Sequence, residues 1–198
     1  MKTMKLWMMA AILFCGVGYM SSCNGNADKA AAQEDTVAAA ENDTFLAAVD
    51  RYLVDSIGAN YSQGDLCIPN AMVIATKERS DSMLVWGDFW VFNYKVAGDT
   101  LKMVSGGDHP GLMCMKKNSE GAYEVISFEQ VEDGHGNVAS AKRIFGDKYD
   151  AFHAINSNEK SREVFRAKGI AEYLKAHELS YKYYQDYGWP AQGIPTNY

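Results

Sequence analysis

The chain has 198 residues, and its 25 acidic side chains outnumber its 19 basic ones, which gives a formal net charge of -6. This balance disfavours nucleic acid as a partner, because neutralising phosphates requires a basic patch that the sequence does not contain. After the N-terminal apolar run, no segment approaches the roughly 20 apolar residues of a membrane-spanning helix. Residues 42–198 are long enough for one hydrophobic core and short for two, so we expect a single globular domain there.

The first residues have the pattern of an export signal. Lys2 and Lys5 form a short basic start, and residues 6–20 carry no charge. This run is rich in Leu, Met, Ile, Phe and Ala but is too short to cross a bilayer, which is typical of the hydrophobic segment of a signal peptide.

The apolar run ends in the sequence MSSC at residues 20–23, which resembles the lipobox of bacterial lipoproteins. The resemblance implies that residues 1–22 are removed as a signal peptide and that Cys23 is lipidated, which anchors the chain to an envelope membrane. Asn24 rather than Asp follows the cysteine and favours the outer membrane, while the periplasmic or surface face stays open. The alternative is an ordinary secretory signal with an incidental cysteine.

Residues 23–41 are predicted to be a lipid-anchored, flexible spacer. From residue 24 onward the segment is rich in Gly, Asn, Gln, Asp, Glu and Ala, with Val37 as its only large apolar residue. It cannot bury enough apolar surface to offset the entropy lost on ordering. Removing the signal also removes two lysines, so the mature chain has 17 basic and 25 acidic side chains and a formal charge of -8.

Hydrophobic periodicity divides the domain into three parts. A helix is predicted from Thr44 to Ile57, because Phe45, Val49 and Leu53 share one helical face. Five strands with short turns follow, at residues 72–77, 83–96, 100–104, 112–117 and 123–131.

The helical period returns at residue 140 and is interrupted at Gly146. A longer helix is predicted from Glu159 to about Glu178, behind the capping residue Asn158. The sequence therefore predicts an α+β fold with an N-terminal helix, a five-stranded antiparallel meander and two or three C-terminal helices. This order of elements is reminiscent of cystatin-like folds in shape, an analogy that implies no activity.

The glycine-rich segment 105–111 is predicted to be a loop that joins two strands. Asp108 and His109 adjoin in it, and its glycines would let a ligand approach the backbone. Adjacent loop residues usually point apart, so we favour a plain strand connection over a catalytic Asp108-His109 pair. His135 could join His109 in a metal site, but the two lack the short spacing of zinc motifs. We therefore predict neither a metal nor a cofactor.

Asp88 lies with Trp86 and Trp90 on the even-numbered face of the predicted strand 83–96. Inside an apolar pocket, the pKa of its carboxyl would rise, and the group could then act as a general base. Gly87 beside it suggests a bulge that turns Asp88 to solvent, and we favour that interpretation.

The C-terminal segment concentrates aromatic residues. Tyr183, Tyr184, Tyr187 and Trp189 are candidate ligand-binding residues, because tyrosine and tryptophan supply large contact areas at low entropic cost. The alternative, which we favour, is that these rings pack over the sheet as a lid.

Cys15 lies in the predicted signal peptide and Cys23 is the expected lipidation site. Two cysteines, Cys67 and Cys114, therefore remain in the domain. An exported compartment permits a disulfide between them. The alternative, which we favour, is a pair of free thiols in neighbouring strands.

The sequence contains no nucleophile elbow and no phosphate-binding loop. We therefore expect a non-catalytic envelope domain that binds an envelope protein or a small molecule such as a sugar. One alternative is a small hydrolase or isomerase that uses Asp88, or Asp108 with His109; another is a purely structural partner in a membrane complex. Segments 105–111 and 183–189 resemble uncharacterised exported proteins of gut anaerobes, a resemblance that implies no chemistry.

Overall fold

The computed structural model describes residues 45–196. The predicted signal peptide, the lipidation at Cys23 and the spacer lie outside these residues. Within them, six strands form one mixed sheet: β1 (Leu66–Glu78), β2 (Ser82–Ala97), β3 (Thr100–Lys117), β4 (Tyr123–Gln130), β5 (Tyr183–Gln185) and β6 (Gln192–Gly193). Three helices lie between β4 and β5: α1 (Asn137–Phe145), α2 (Tyr149–Asn156) and α3 (Glu159–Ala176).

An N-terminal helical segment precedes the sheet. It is α-helical over residues 45–52 and continues as a π-helix over Leu53–Ile57. The predicted regular helix from Thr44 to Ile57 is therefore not supported, because Thr44 lies outside the described residues and the last five residues are π-helical. The side chains buried on its inner face are Phe45, Ala48, Val49 and Leu53.

The α+β class is confirmed, but the strictly antiparallel meander is wrong. β1 pairs with β2 and β2 with β3 in antiparallel register, and β4 pairs with the second half of β3. The chain then passes through three helices, and β5 returns beside residues 100–102 of β3 in parallel register. A long helical connection of this kind is what allows a parallel pair.

The predicted loop 105–111 is also wrong, because β3 runs without interruption from Thr100 to Lys117. Two of its glycines serve close backbone approach within the sheet rather than a turn. A Cβ at Gly111 would lie 2.3 Å from the Glu129 carbonyl oxygen, and a Cβ at Gly106 would lie 2.3 Å from the Val91 carbonyl oxygen. Glycine in a strand interior commonly marks such close approach.

The core occupies both faces of the sheet. Odd-numbered residues of β2, including Val85, Phe89 and Val91, pack with the N-terminal helical segment. On the opposite face, Tyr94 packs with α3, and Trp86 packs with α1 and α2. The sheet is thus the middle layer of three.

The C-terminal helices follow the predicted pattern. α1 ends at Phe145, and Gly146, with a φ of 53°, begins a short 3-10 turn before α2. The side chain of Asn158 caps α3 by accepting a hydrogen bond from the Ser161 amide at 3.1 Å. This cap fixes where α3 begins, and α3 supplies one wall of the site described next.

Candidate functional site

A cleft opens between α3, strands β2 and β3, and the C-terminal segment. Its volume is about 330 Å³, at the small end of the range of about 300 to 1,000 Å³ that is usual for ligand pockets. We call it the α3 cleft; the residues that line it are Trp90, Phe92, Met103, Asp108, Glu159, Arg162, Glu163, Arg166, Asp186, Trp189 and Gln192.

Arg162 of α3 joins the two central strands. Its Nη1 donates to Asp88 Oδ2 at 3.0 Å and to the Asn156 side-chain oxygen, and its Nη2 donates to Asp108 Oδ2. Its guanidinium carbon lies 5.0 Å from the centre of the Trp90 ring. Asp108 and Trp90 are direct cross-strand partners, so the sheet register places the carboxylate and the ring side by side.

Arg166 repeats this arrangement one helical turn later, because residues four apart lie on the same helix face. Its guanidinium carbon lies 3.8 Å from the centre of the Phe92 ring. Its Nη1 donates to Asp186 Oδ2 at 2.6 Å, and its Nη2 donates to the Tyr94 hydroxyl at 3.0 Å. The cleft thus contains two arginines, each stacked on an aromatic ring and paired with carboxylate.

Burial changes the titration of the groups around these arginines. It raises the pKa of Asp88 to about 6, against the opposing effect of Arg162. The Trp90 indole N–H also lowers this pKa, although it lies outside the geometry of a hydrogen bond. Burial likewise raises the pKa of Tyr94 to about 12, while the Arg166 charge opposes the shift. Asp88 is therefore a strongly desolvated carboxylate that is held beneath Arg162.

Buried polar atoms without a hydrogen-bond partner concentrate around the α3 cleft. Four of the seven such atoms among residues 45–196 are Asp88 Oδ1, Trp90 Nε1, Arg166 Nε and Asp186 Oδ1. Trp90, Arg166 and Asp186 line the cleft itself. Because buried polar atoms are normally paired, these three side chains have unused hydrogen-bonding capacity at the wall of a cavity.

The candidate aromatic residues of the C-terminal segment have different environments. Tyr184 is buried and donates to Gln192 Oε1 at 2.7 Å, so the lid interpretation describes it well. Tyr183, Tyr187 and Trp189 are instead exposed, and Trp189 lines the α3 cleft with 66% of its surface accessible. A turn from Asp186 holds Trp189 there, with the Trp189 amide donating to the Asp186 carbonyl at 3.1 Å.

The favoured outward orientation of Asp88 is wrong. Asp88 is fully buried, and the register irregularity lies across from Gly87, between Val73 and Ala75 of β1. The bulge is therefore in the partner strand, which leaves the alternation of β2 intact and keeps Asp88 on its inner, even-numbered face.

Asp108 and His109 do not form a pair, because neighbouring strand residues point to opposite faces. Asp108 faces Arg162, whereas His109 is buried with its Nε2 3.2 Å from the Tyr61 hydroxyl. Burial lowers the pKa of His109. His135 lies on a short 3-10 turn, and no three His, Cys, Asp or Glu side chains among the described residues are grouped to hold a metal.

The possible disulfide is excluded, and Cys67 and Cys114 are free thiols. Cys67 pairs with position 93 of β2 and Cys114 with position 84, on opposite faces of the sheet. This register separates them by nine residues along β2, or about 30 Å at 3.3 Å per residue. A disulfide requires Cα atoms within about 7 Å.

Sequence reasoning missed Arg162, Arg166 and Asp186. The arginines carried one signal, since their spacing of four places both on one side of the predicted helix. Nothing local in the sequence indicates which side faces the sheet, because Asp88 is 74 residues away from Arg162.

Comparisons of the chain with protein-family models, with curated proteins and with solved structures gave no match. The cystatin-like analogy therefore gains no support. Across residues 45–196, no helix combines the length and apolar character needed to span a membrane.

Proposed function

We propose that this protein is a lipid-anchored cell-envelope protein whose folded domain binds a small molecule in the α3 cleft. The observation that carries the binding function is the composition of the cleft wall. Arg166 and Asp186, which each carry one buried atom without a hydrogen-bond partner, line the same cleft as the exposed ring of Trp189. Ligand sites combine such a few convergent polar groups with apolar and aromatic surface.

The same geometry favours binding over catalysis. Asp88 has no exposed surface and does not line the cleft, since Arg162 lies over it. A general base must come within hydrogen-bonding reach of the proton that it removes. Asp108 is accessible, but its side chain is paired with Arg162 and not with His109. The alternative of a hydrolase or isomerase therefore lacks an assembled acid-base pair.

The test of ligand binding is thermal unfolding of the mature protein with a panel of neutral, cationic and anionic small molecules. A ligand at 100 times its Kd stabilises the folded state by about 2.7 kcal/mol. We expect Trp189→Ala to abolish this stabilisation. Tyr187→Ala is the matched control, because Tyr187 is exposed on the same turn but does not line the α3 cleft.

Two results would overturn the binding proposal. One is a panel in which no compound shifts the unfolding midpoint. The other is a ligand whose effect is the same in Trp189→Ala as in the unsubstituted protein. A loss of binding in Tyr187→Ala alone would also contradict the proposal, because it would place the ligand at Tyr187 and not in the α3 cleft.

The anchor is tested separately by Cys23→Ala. The lipobox resemblance implies that this variant loses its lipid and leaves the membrane fraction, since lipid chains supply about 0.8 kcal/mol per buried methylene. A variant that stays in the membrane fraction after a high-salt wash would refute lipid anchoring through Cys23.

A further inference from the structure

We infer that the ligand of the α3 cleft carries a positively charged amino group, an inference that rests on the proposed binding function. Four properties of the cleft support it: the charge of its wall, the state of its two arginines, its free acceptors and its exposed aromatic ring.

The wall of the cleft has an acidic surplus. Four carboxylates line it, those of Asp108, Glu159, Glu163 and Asp186, against the two guanidinium groups of Arg162 and Arg166. A cleft lined by an excess of one charge attracts ligands of the opposite charge. The cleft therefore favours a cation over an anion.

The two arginines are already neutralised by the protein. Arg162 bridges Asp88 and Asp108, and Arg166 pairs with Asp186. An anionic ligand would have to displace these carboxylates, and the displaced Asp88 would be left as a buried, unpaired charge, which is strongly unfavourable. The arginines thus pair with carboxylates of the protein and are poor binding sites for the phosphate or carboxylate group of a ligand.

Two donors of the cleft wall, Trp90 Nε1 and Arg166 Nε, lack a hydrogen-bond partner, but the unpaired acceptors outnumber them. Asp186 Oδ1 has no partner, and neither Glu159 nor Glu163 forms a salt bridge within residues 45–196. An ammonium group supplies three donors and no acceptor. Its hydrogen-bonding pattern therefore complements the acceptors of the wall, and charge-assisted hydrogen bonds are the stronger kind.

The exposed ring of Trp189 is the fourth property that favours a cationic ligand. The faces of Trp90 and Phe92 are each covered by a guanidinium group at 5.0 and 3.8 Å, whereas Trp189 is 66% exposed. Tryptophan is the side chain that binds a cation most strongly through its ring face. Trp189 thus provides a surface for the amino group or for the apolar part that carries it.

The test uses three probes that share one ring and differ in charge: cyclohexanemethylamine, cyclohexanemethanol and cyclohexanecarboxylate. Binding to the mature protein at pH 7 is followed by tryptophan fluorescence and by calorimetry. We expect the amine to bind about tenfold more tightly than the alcohol, a difference of about 1.4 kcal/mol, and the carboxylate to bind most weakly. Raising the salt concentration should weaken binding of the amine alone.

Glu163→Gln separates charge from shape. It removes one negative charge from the cleft wall without changing side-chain size, so amine binding should weaken about two- to fivefold, as expected for an exposed charge pair, while alcohol binding stays the same. Glu120→Gln is the matched control, because Glu120 lies in the turn between β3 and β4, outside the cleft.

The inference is overturned if the alcohol or the carboxylate binds as tightly as the amine, or if the amine does not bind with a Kd below about 10 mM, a free energy of only about 3 kcal/mol. An equal effect of Glu163→Gln and Glu120→Gln also overturns it. In each case the binding proposal survives if another compound of the panel binds and depends on Trp189, so the two failures are distinguishable.

Discussion

The two faces of β2 carry different kinds of side chain. Its odd-numbered face turns Met83, Val85, Phe89 and Val91 towards the N-terminal helical segment, and all four are buried and apolar. Its even-numbered face turns Asp88 towards α3, beside Trp90. The first face resembles an ordinary core, whereas the second buries charge that hydrophobic packing alone would exclude.

The odd-numbered face of β2 mainly stabilises the fold, whereas the even-numbered face supplies side chains to the α3 cleft. Apolar burial on the odd-numbered face contributes favourable free energy, and the one buried polar side chain of β2 on that face, Asn93, is uncharged, although its amide has no hydrogen-bond partner. A buried ion pair such as Asp88 with Arg162 is weak evidence for stability, because the desolvation of both charges offsets their attraction. The even-numbered face is therefore the place where the chain gives up stability for a polar cleft.

The largest expected effect comes from matched phenylalanine substitutions on the two faces. Phe89→Ala should destabilise the domain by about 3 to 5 kcal/mol, because Phe89 is fully buried and contacts the ring of Phe128. Phe92→Ala should cost less than half as much, since Phe92 is partly exposed at the cleft. Urea unfolding measures both, and equal losses would contradict the distinction between the faces.

A pH-dependent effect should follow from Asp88. Its folded-state pKa of about 6 lies above the usual 3.8, so its contribution to stability is complete below pH 4 and is lost as the pH rises through 6. A shift of about two units corresponds to about 3 kcal/mol. Asp88→Asn should remove this decline, which urea unfolding between pH 4 and 8 would measure.

Asp50 offers a control for that measurement. Its pKa is also raised to about 6, but by burial alone, and it does not line the α3 cleft. Asp50→Asn should flatten the same pH window without changing ligand binding. If neither variant alters the pH profile, the two carboxyls titrate normally and the even-numbered face is less desolvated than its burial indicates.

The smallest expected effect is that of a reductant. Cys67 and Cys114 lie on opposite faces of the sheet and are unbonded, so dithiothreitol should leave the midpoint of thermal unfolding unchanged. A loss of several kcal/mol, as expected when a disulfide is removed, would show that the two faces are cross-linked and that the register of β1 to β3 is wrong.

Local signals are sufficient where neighbouring residues decide the structure. The break at Gly146 follows from its positive φ, and the start of α3 follows from the cap at Asn158. The alternation of β2 likewise predicts that Trp86, Asp88 and Trp90 share one face, and all three are buried there.

Long-range contacts decide the features that sequence reasoning missed. The glycines of segment 105–111 indicate a turn locally, yet β3 is extended there, and neighbouring strands approach Gly106 and Gly111 too closely for a Cβ to fit. The predicted outward turn of Asp88 fails for the same reason, since the bulge lies in the partner strand β1 and Arg162 of a distant helix pairs with the buried carboxyl. Tertiary context overrides local preference at such positions.

The return of β5 beside the first residues of β3 also governs when the cleft can exist. Asp88 lies in β2, Asp186 directly follows β5, and the helix that carries Arg162 and Arg166 comes between them. The odd-numbered core is built from residues 45–128 and does not require Asp186 or Trp189, whereas the cleft requires both. Because the cost of closing a loop rises with its length, we expect this core to form before the cleft during folding.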